Sequence, residues 1–164
     1  MKMNIPDGPL SDEDWMRVAL SAAAQAESEG EVPVGCVVVH PERGLIASAF
    51  NRRETQQDPT AHAEVIALRE AAAHLGRWRL SDCSIYVTLE PCFMCAGALI
   101  NARVKRVIYG ASDSKAGACA SLANVLQDTR LNHRCEVIRG VLEGEARVQL
   151  QNFFRSRRKK NMLT

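Results

Sequence analysis

Trp15, Val18, Ala19, Ala22 and Ala26 recur at three- and four-residue intervals, which predicts a helix with one apolar face ending at Gly30. Ser11 and Asp14 frame its start as a capping box. The pattern then changes. VGCVVVH (34–40) and LIASAFN (45–51) are apolar runs of strand length around PERG, a hairpin. Asp58-Pro59-Thr60 reads as a helix start, with the helix running through HAEVIALREAAAHL to Gly76. SIYVTLE (84–90) has few polar residues and predicts a central strand. Pro91 opens a short helix reaching Ala102, and KRVIYG (105–110) is the next strand. Residues 111–118 form a small-residue loop, SLANVLQ (121–127) reads as helix, and CEVIRGV (135–141) as the last strand. A final helix begins near Glu143, with Ala146, Leu150, Phe153 and Phe154 on its apolar face.

A hairpin followed by alternating helices and strands implies parallel pairs, right-handed crossovers and helices on both faces of the sheet. The expected fold is α/β: a three-layer α/β/α sandwich around a five-stranded mixed sheet. At 164 residues, the chain 1–164 is expected to form a single domain.

Composition narrows the class. Hydrophobic residues make up 46% and charged residues 24%, as in an ordinary globular domain. No run approaches the ~18 apolar residues of a membrane span. MKMNIPDGPL lacks the apolar centre of a signal peptide, so the expected location is cytoplasmic. Six cysteines would permit three disulfides, but a chain of this length and apolarity does not need them. The isolated Cys36, Cys83, Cys119 and Cys135 are expected to pack as small hydrophobes. Charge is uneven. Arg155, Arg157, Arg158, Lys159 and Lys160 give the end of the last helix (155–160) five positive charges; removing them from the net +2 leaves −3. Such a patch suits a polyanion, and equally a solvated helix end.

The chemistry lies in TLEPCFMCAG (88–97). Cys92 and Cys95 can be half of a structural zinc site, a redox pair, or part of a catalytic metal site. A four-cysteine site needs a second Cys-x-x-Cys, which is absent. Among His40, His62, His74 and His133, His62 stands out: it begins a helix, with Glu64 two residues on. Sites in open α/β sheets form outside the carboxyl ends of strands, where helices start. One nitrogen and two sulfurs would then converge, leaving a fourth position for water. Two residues along a helix is ~200° of rotation, so Glu64 reaches the same point only if that point lies over the helix end. There it could move protons without binding the ion. Taken singly, each of these residues is more ordinary: a structural histidine, a solvated glutamate.

His-x-Glu followed by Pro-Cys-x-x-Cys resembles the signature of zinc nucleobase deaminases. EVPVG (31–35), DPTAHAE (58–64), IYVTLEPCFMCAGA (85–98) and NHR (132–134) are more specific. They resemble the bacterial tRNA-specific adenosine deaminases, within the cytidine deaminase-like superfamily, from about Trp15 to Arg158. The resemblance implies a Zn2+ ion held by His62, Cys92 and Cys95, with Glu64 as proton shuttle. It implies that Asn51 contacts the target base or its ribose, that Asp113 contacts the nucleotide sugar, and that Phe154 lies near the bound loop. It further implies a homodimer acting on the wobble adenosine of a tRNA anticodon stem-loop, with the basic tail approaching the RNA and inosine as product. Ser112 stands where the family often carries a basic residue. Other readings stay open: Asn51 and Asp113 as loop-backbone partners, Phe154 as core, a small-molecule deaminase for guanine, cytosine or cytidine, and a noncatalytic RNA-binding subunit with a structural zinc.

Overall fold

A computed structural model describes residues 8–163; most of the MKMNIPDGPL lead, residues 1–7, lies outside the described residues. The first helix, α1 (Asp12–Ser28), is closed by the expected capping box. The Asp14 amide donates to Ser11 Oγ at 3.2 Å, and the Ser11 amide donates to Asp14 Oδ2 at 2.9 Å. Strands β1 (Gly35–His40) and β2 (Gly44–Phe50) form the hairpin, with a bulge at Val38/Val39. A single helical turn, α2 (Arg53–Gln56), precedes α3 (Ala63–Leu75), β3 (Ser84–Leu89), α4 (Phe93–Asn101), β4 (Arg106–Ala111), β5 (Glu136–Arg139) and α5 (Glu143–Asn161).

The sheet order is β2-β1-β3-β4-β5. β1 runs antiparallel to both β2 and β3, while β3–β4 and β4–β5 are parallel. The sheet is therefore five-stranded and mixed, as expected. Side-chain alternation divides its two faces. Val37, Tyr86 and Ile108 pack with Trp15, Met16, Val18 and Ala19 of α1. Val38, Ile85, Val87, Val107 and Tyr109 point the other way, onto Ala67, Leu68 and Ala71 of α3 and Ala96 and Leu99 of α4. Helix α5 joins the first layer through buried Ala146 and Phe153.

One glycine sets the depth at which α1 sits. A Cβ on Gly35 would lie 2.0 Å from the Ala19 carbonyl oxygen and 2.5 Å from the Ala23 nitrogen. Only a residue without a side chain lets this helix backbone touch the strand.

Two expected elements differ. Asp58-Pro59-Thr60 does not open a helix. Asp58 Oδ1 accepts from the Thr60 amide at 2.8 Å and from its hydroxyl at 2.7 Å, closing a side-chain-capped turn. The helix starts at Ala63, with extended His62 as its cap residue. Likewise SLANVLQ is not a helix; only Val125–Gln127 forms a 3₁₀ turn, buried through Leu126. The Val125 amide, which would close a helical turn on the Ser121 carbonyl, donates instead to the Ala118 carbonyl at 2.9 Å. Pro91 also precedes its helix by one residue more than expected, because Cys92 is the cap.

All six cysteines are free, and Cys36, Cys83, Cys119 and Cys135 are buried as expected. Among the described residues no helix is long and apolar enough to cross a membrane.

Candidate active site

Two helix starts meet beyond the ends of the central strands. His62 caps α3 and Cys92 caps α4, and both hold extended backbone rather than helical. Cys95 follows one turn into α4 and is fully buried. His62 Nδ1 lies 3.6 Å from Cys92 Sγ and 3.5 Å from Cys95 Sγ, although 30 residues or more separate them in the chain. The three ligand atoms lie within 4.8 Å of one another.

These distances test whether a metal fits. Zn–N bonds of ~2.0–2.1 Å and Zn–S bonds of ~2.3 Å at a tetrahedral angle require an N···S separation of about 3.6 Å. The observed separations match that requirement. The donor set is also the one a borderline-soft ion prefers over hard cations. His62, Cys92 and Cys95 therefore form a cluster that can hold a metal through three protein ligands.

The protonation chemistry is compatible. The hydrogen bond from Cys95 pulls the Cys92 thiol down to about 4, while the same pairing and burial push the Cys95 thiol up. Cys92 in turn raises the His62 pKa. A thiolate is thus already favoured at one ligand position.

Glu64, the second residue of α3, is only 4% exposed. Burial raises its pKa, with Cys92 adding to the rise and His62 opposing it. A carboxyl that holds its proton more readily than usual, beside a metal-binding cluster, suits proton transfer near neutral pH. It lines a cleft of about 220 Å³ together with His62, Cys92, Asn51, Asp113 and Val34.

The sequence-predicted substrate residues divide. Asn51 and Asp113 stand on the walls of this cleft. Both also hold backbone. Asn51 Oδ1 accepts from the Arg53 amide at 3.2 Å, and its Nδ2 donates to the Val32 carbonyl at 3.4 Å. Asp113 Oδ1 accepts from the Lys115 and Ala116 amides at 3.0 and 3.1 Å. Each residue therefore has its side chain oriented by the loop it supports. Phe154 is not on the cleft. It is 45% exposed, stacks edge-on against buried Phe153 at 5.4 Å, and lines a neighbouring groove of about 810 Å³ with Lys115, Arg147, Arg155 and Arg158. The loop from Ala111 to Ala116 is the wall shared by cleft and groove.

The basic tail is not uniform. Arg157 donates to the Gly30 carbonyl and lies over the Phe153 ring, 5.1 Å from its centroid, so it ties α5 to the end of α1. Arg147 is paired with Glu143 at 2.6 Å. Among the described residues, Lys115, Arg155 and Arg158 of the groove have no ion-pair partner. His133, within the NHR run, donates to or accepts at no site group; its Nε2 meets the Val104 carbonyl at 2.8 Å.

Glu90 and Arg53 also line the cleft without having been singled out as individual residues. Glu90 carried one signal: an acidic residue ending an otherwise apolar strand, directly before Pro91 and Cys92.

Comparison with known proteins agrees with this geometry. Residues 10–158 match the MafB19-like deaminase family. The chain is 47% identical to a tRNA-specific adenosine deaminase of Haemophilus influenzae over 93% of its own length and 88% of that protein's. It is 50% identical to the Bacillus subtilis protein of the same name, over 91% of this chain and 92% of that one. A solved structure from studies of A-to-I editing by tRNA:A34 deaminases at the wobble position superposes with a TM-score of 0.78 at 41% identity, covering 82% of this chain and 96% of that one. A guanine deaminase from Nitrosomonas europaea superposes almost as well, TM-score 0.77, at 26% identity, covering 92% of this chain and 88% of that one. The backbone alone thus does not separate the two substrate branches; sequence identity does. With its near-complete match, and a His/Cys/Cys cluster that can hold a metal beside a buried glutamate, the chain belongs to the family of tRNA-specific adenosine deaminases within the cytidine deaminase-like fold.

Proposed function

We propose that this protein is a zinc-dependent enzyme that hydrolyses the wobble adenosine of a tRNA anticodon loop to inosine and ammonia. One observation carries the reading: a His62–Cys92–Cys95 cluster at zinc-compatible spacing shares a cleft with a buried glutamate that is not itself part of the cluster. When bound, zinc supplies the Lewis acidity that brings the pKa of water towards ~7.

The remaining work falls to the chain. Glu64 accepts the proton of the attacking water and delivers it to adenine N1, then carries the proton of the hydroxyl added at C6 to the departing amine, leaving the C6 carbonyl of inosine and free ammonia. Its burial keeps these transfers away from bulk solvent. Asn51 and Asp113, fixed by their backbone partners, orient the base and its sugar from the lining of the cleft. An adenine stacked in a duplex cannot reach Glu64, so the substrate base must be splayed out of a loop. The groove formed by Lys115, Arg155, Arg158 and Phe154 opens beside the cleft and suits the flanking phosphates and an unstacked base.

A homodimer is part of this proposal. Trp78, Phe93 and Met94 are exposed beside α3 and α4, an apolar face that a second copy would cover. The location that fits a tRNA substrate is the cytoplasm. The small-molecule reading draws support from the guanine deaminase likeness, but 26% identity against 47–50% favours RNA. A noncatalytic subunit would have no use for Glu64.

The deciding test is inosine formation by the zinc-loaded protein on an adenosine-containing anticodon stem-loop, compared with free adenosine, cytidine and guanine. Inosine confined to the stem-loop is the expected result. Turnover of a free base or nucleoside, with none on RNA, would overturn the substrate.

A further inference from the structure

Glu90 is a charged side chain buried in the lining of the active cleft, 2% exposed, and the mechanism does not use it. Its carboxylate accepts five hydrogen bonds, all from one loop. Oε1 accepts from the amides of Cys119, Ala120 and Ser121 at 3.2, 2.8 and 2.9 Å. Oε2 accepts from the Asp113 amide at 2.9 Å and the Ser121 hydroxyl at 2.6 Å. A carboxylate offers about four lone-pair directions. Glu90 therefore faces the cleft with nothing left to offer a substrate. Gly117 presses on it from the same loop: a Cβ there would lie 2.3 Å from the Glu90 carboxyl carbon.

The position in the chain matters as much as the bonds. Glu90 stands two residues before Cys92, and Gly117 forms an isolated bridge with Cys92. Asp113 and Ala116 of the loop wall the cleft, while Ser112 and Lys115 line the basic groove. One carboxylate thus joins the strand end that leads into the metal cluster to the loop that serves both substrate surfaces. We propose that Glu90 is a positioning residue for substrate binding, which fixes Asp113 relative to the metal cluster. It acts through the loop and not on the reacting atoms. The inference rests on the deaminase reading for its kinetic test, and on hydrogen exchange for a test independent of substrate.

Glu90→Gln keeps the shape but turns an NH2 group towards backbone N–H donors, leaving at least one donor facing a donor. The zinc-loaded variant should show a KM for the anticodon stem-loop raised about tenfold or more, with the rate at saturating RNA nearly unchanged. Its zinc content should match that of the parent protein. In an Asp113→Ala background, Glu90→Gln should raise KM by less than about twofold, because the two residues act as one unit. In the parent protein the amides of Asp113, Cys119, Ala120 and Ser121 should be protected from hydrogen exchange, and lose that protection in Glu90→Gln. Ser121→Ala removes only the hydroxyl bond; if Glu90→Gln does not fold, this variant carries the test, with a severalfold higher KM and faster exchange at Asp113. Unchanged exchange in the variant would overturn the proposal, even in a protein that makes no inosine. So would loss of zinc or a fall confined to the saturated rate. Additive effects of Glu90→Gln and Asp113→Ala would overturn the link to Asp113.

Discussion

Replacing Arg155 and Arg158 by glutamine tests whether the groove beside α5 reads phosphate charge. Five cations line it or its rim, but two are already committed. Arg157 serves the Gly30 carbonyl and the Phe153 ring, and Arg147 serves Glu143. Lys115, Arg155 and Arg158 remain for phosphate. Each phosphate contact contributes ~0.7–0.9 to the slope of log K against log salt. The double variant should therefore flatten the slope by about 1.4–1.8 and weaken binding about 14- to 30-fold at 0.15 M salt, the two proteins converging near 1 M. Fluorescence anisotropy of a labelled anticodon stem-loop from about 0.05 to 0.4 M salt measures both quantities. Arg157→Gln is the control: it should lower Tm and leave the slope unchanged. A double variant with the parent slope, or an Arg157→Gln slope change as large as the double variant's, would refute the division of the tail into docking and RNA-facing residues.

Glu64→Gln should reduce inosine formation by about 10²–10⁴-fold while metal analysis still finds zinc, since Glu64 lies outside the ligand set; loss of the metal would mean that its role is coordination. Gly35→Ala drives a Cβ into the Ala19 carbonyl, so it should cost about 3 kcal/mol, the upper end of overpacking, and lower Tm by roughly 6–12 °C in calorimetry; an unchanged Tm would show that α1 can lift off the strand. The Ser11 bonds hold the Asp14 pKa below its ordinary 3.8, so the box stabilises the fold above that pH and the contribution fades as pH falls through the lower folded value. The Tm difference between the parent and Ser11→Ala should be constant from about pH 5 to 8 and shrink below about pH 4; a gap that widens on acidification would contradict the sign.

Much of this was legible in residue order because it depends on local pattern. The period of Trp15, Val18, Ala19 and Ala22 defines the buried face of α1 whatever it packs against. The strand runs around Val37, Val87 and Ile108 are apolar on both faces because helices cover both sides of the sheet. His62, Cys92 and Cys95 could be singled out because imidazole and paired thiols are the donors a zinc site would use, and Glu64 because it shares the helix start of His62. The convergence of His62 with Cys92 to 3.6 Å is a different matter: it depends on α3 and α4 lying side by side, which no local spacing dictates. The same limit explains the misread segments. Asp58 and Thr60 bond to each other, so a residue pattern suited to a helix cap makes a turn instead. SLANVLQ reads as helix from its residues, but the Val125 amide is drawn back to the Ala118 carbonyl in the loop that folds around Glu90, a residue some thirty positions upstream. Arg157 and Arg158 are indistinguishable in a basic run; only the packing of α5 against α1 commits one to the fold and leaves the other to solvent and ligand. Sequence determined which groups were present and which faces they could occupy. Tertiary structure decided which of them met, because hydrogen bonds and ion contacts across distant segments exist only after the layers have packed.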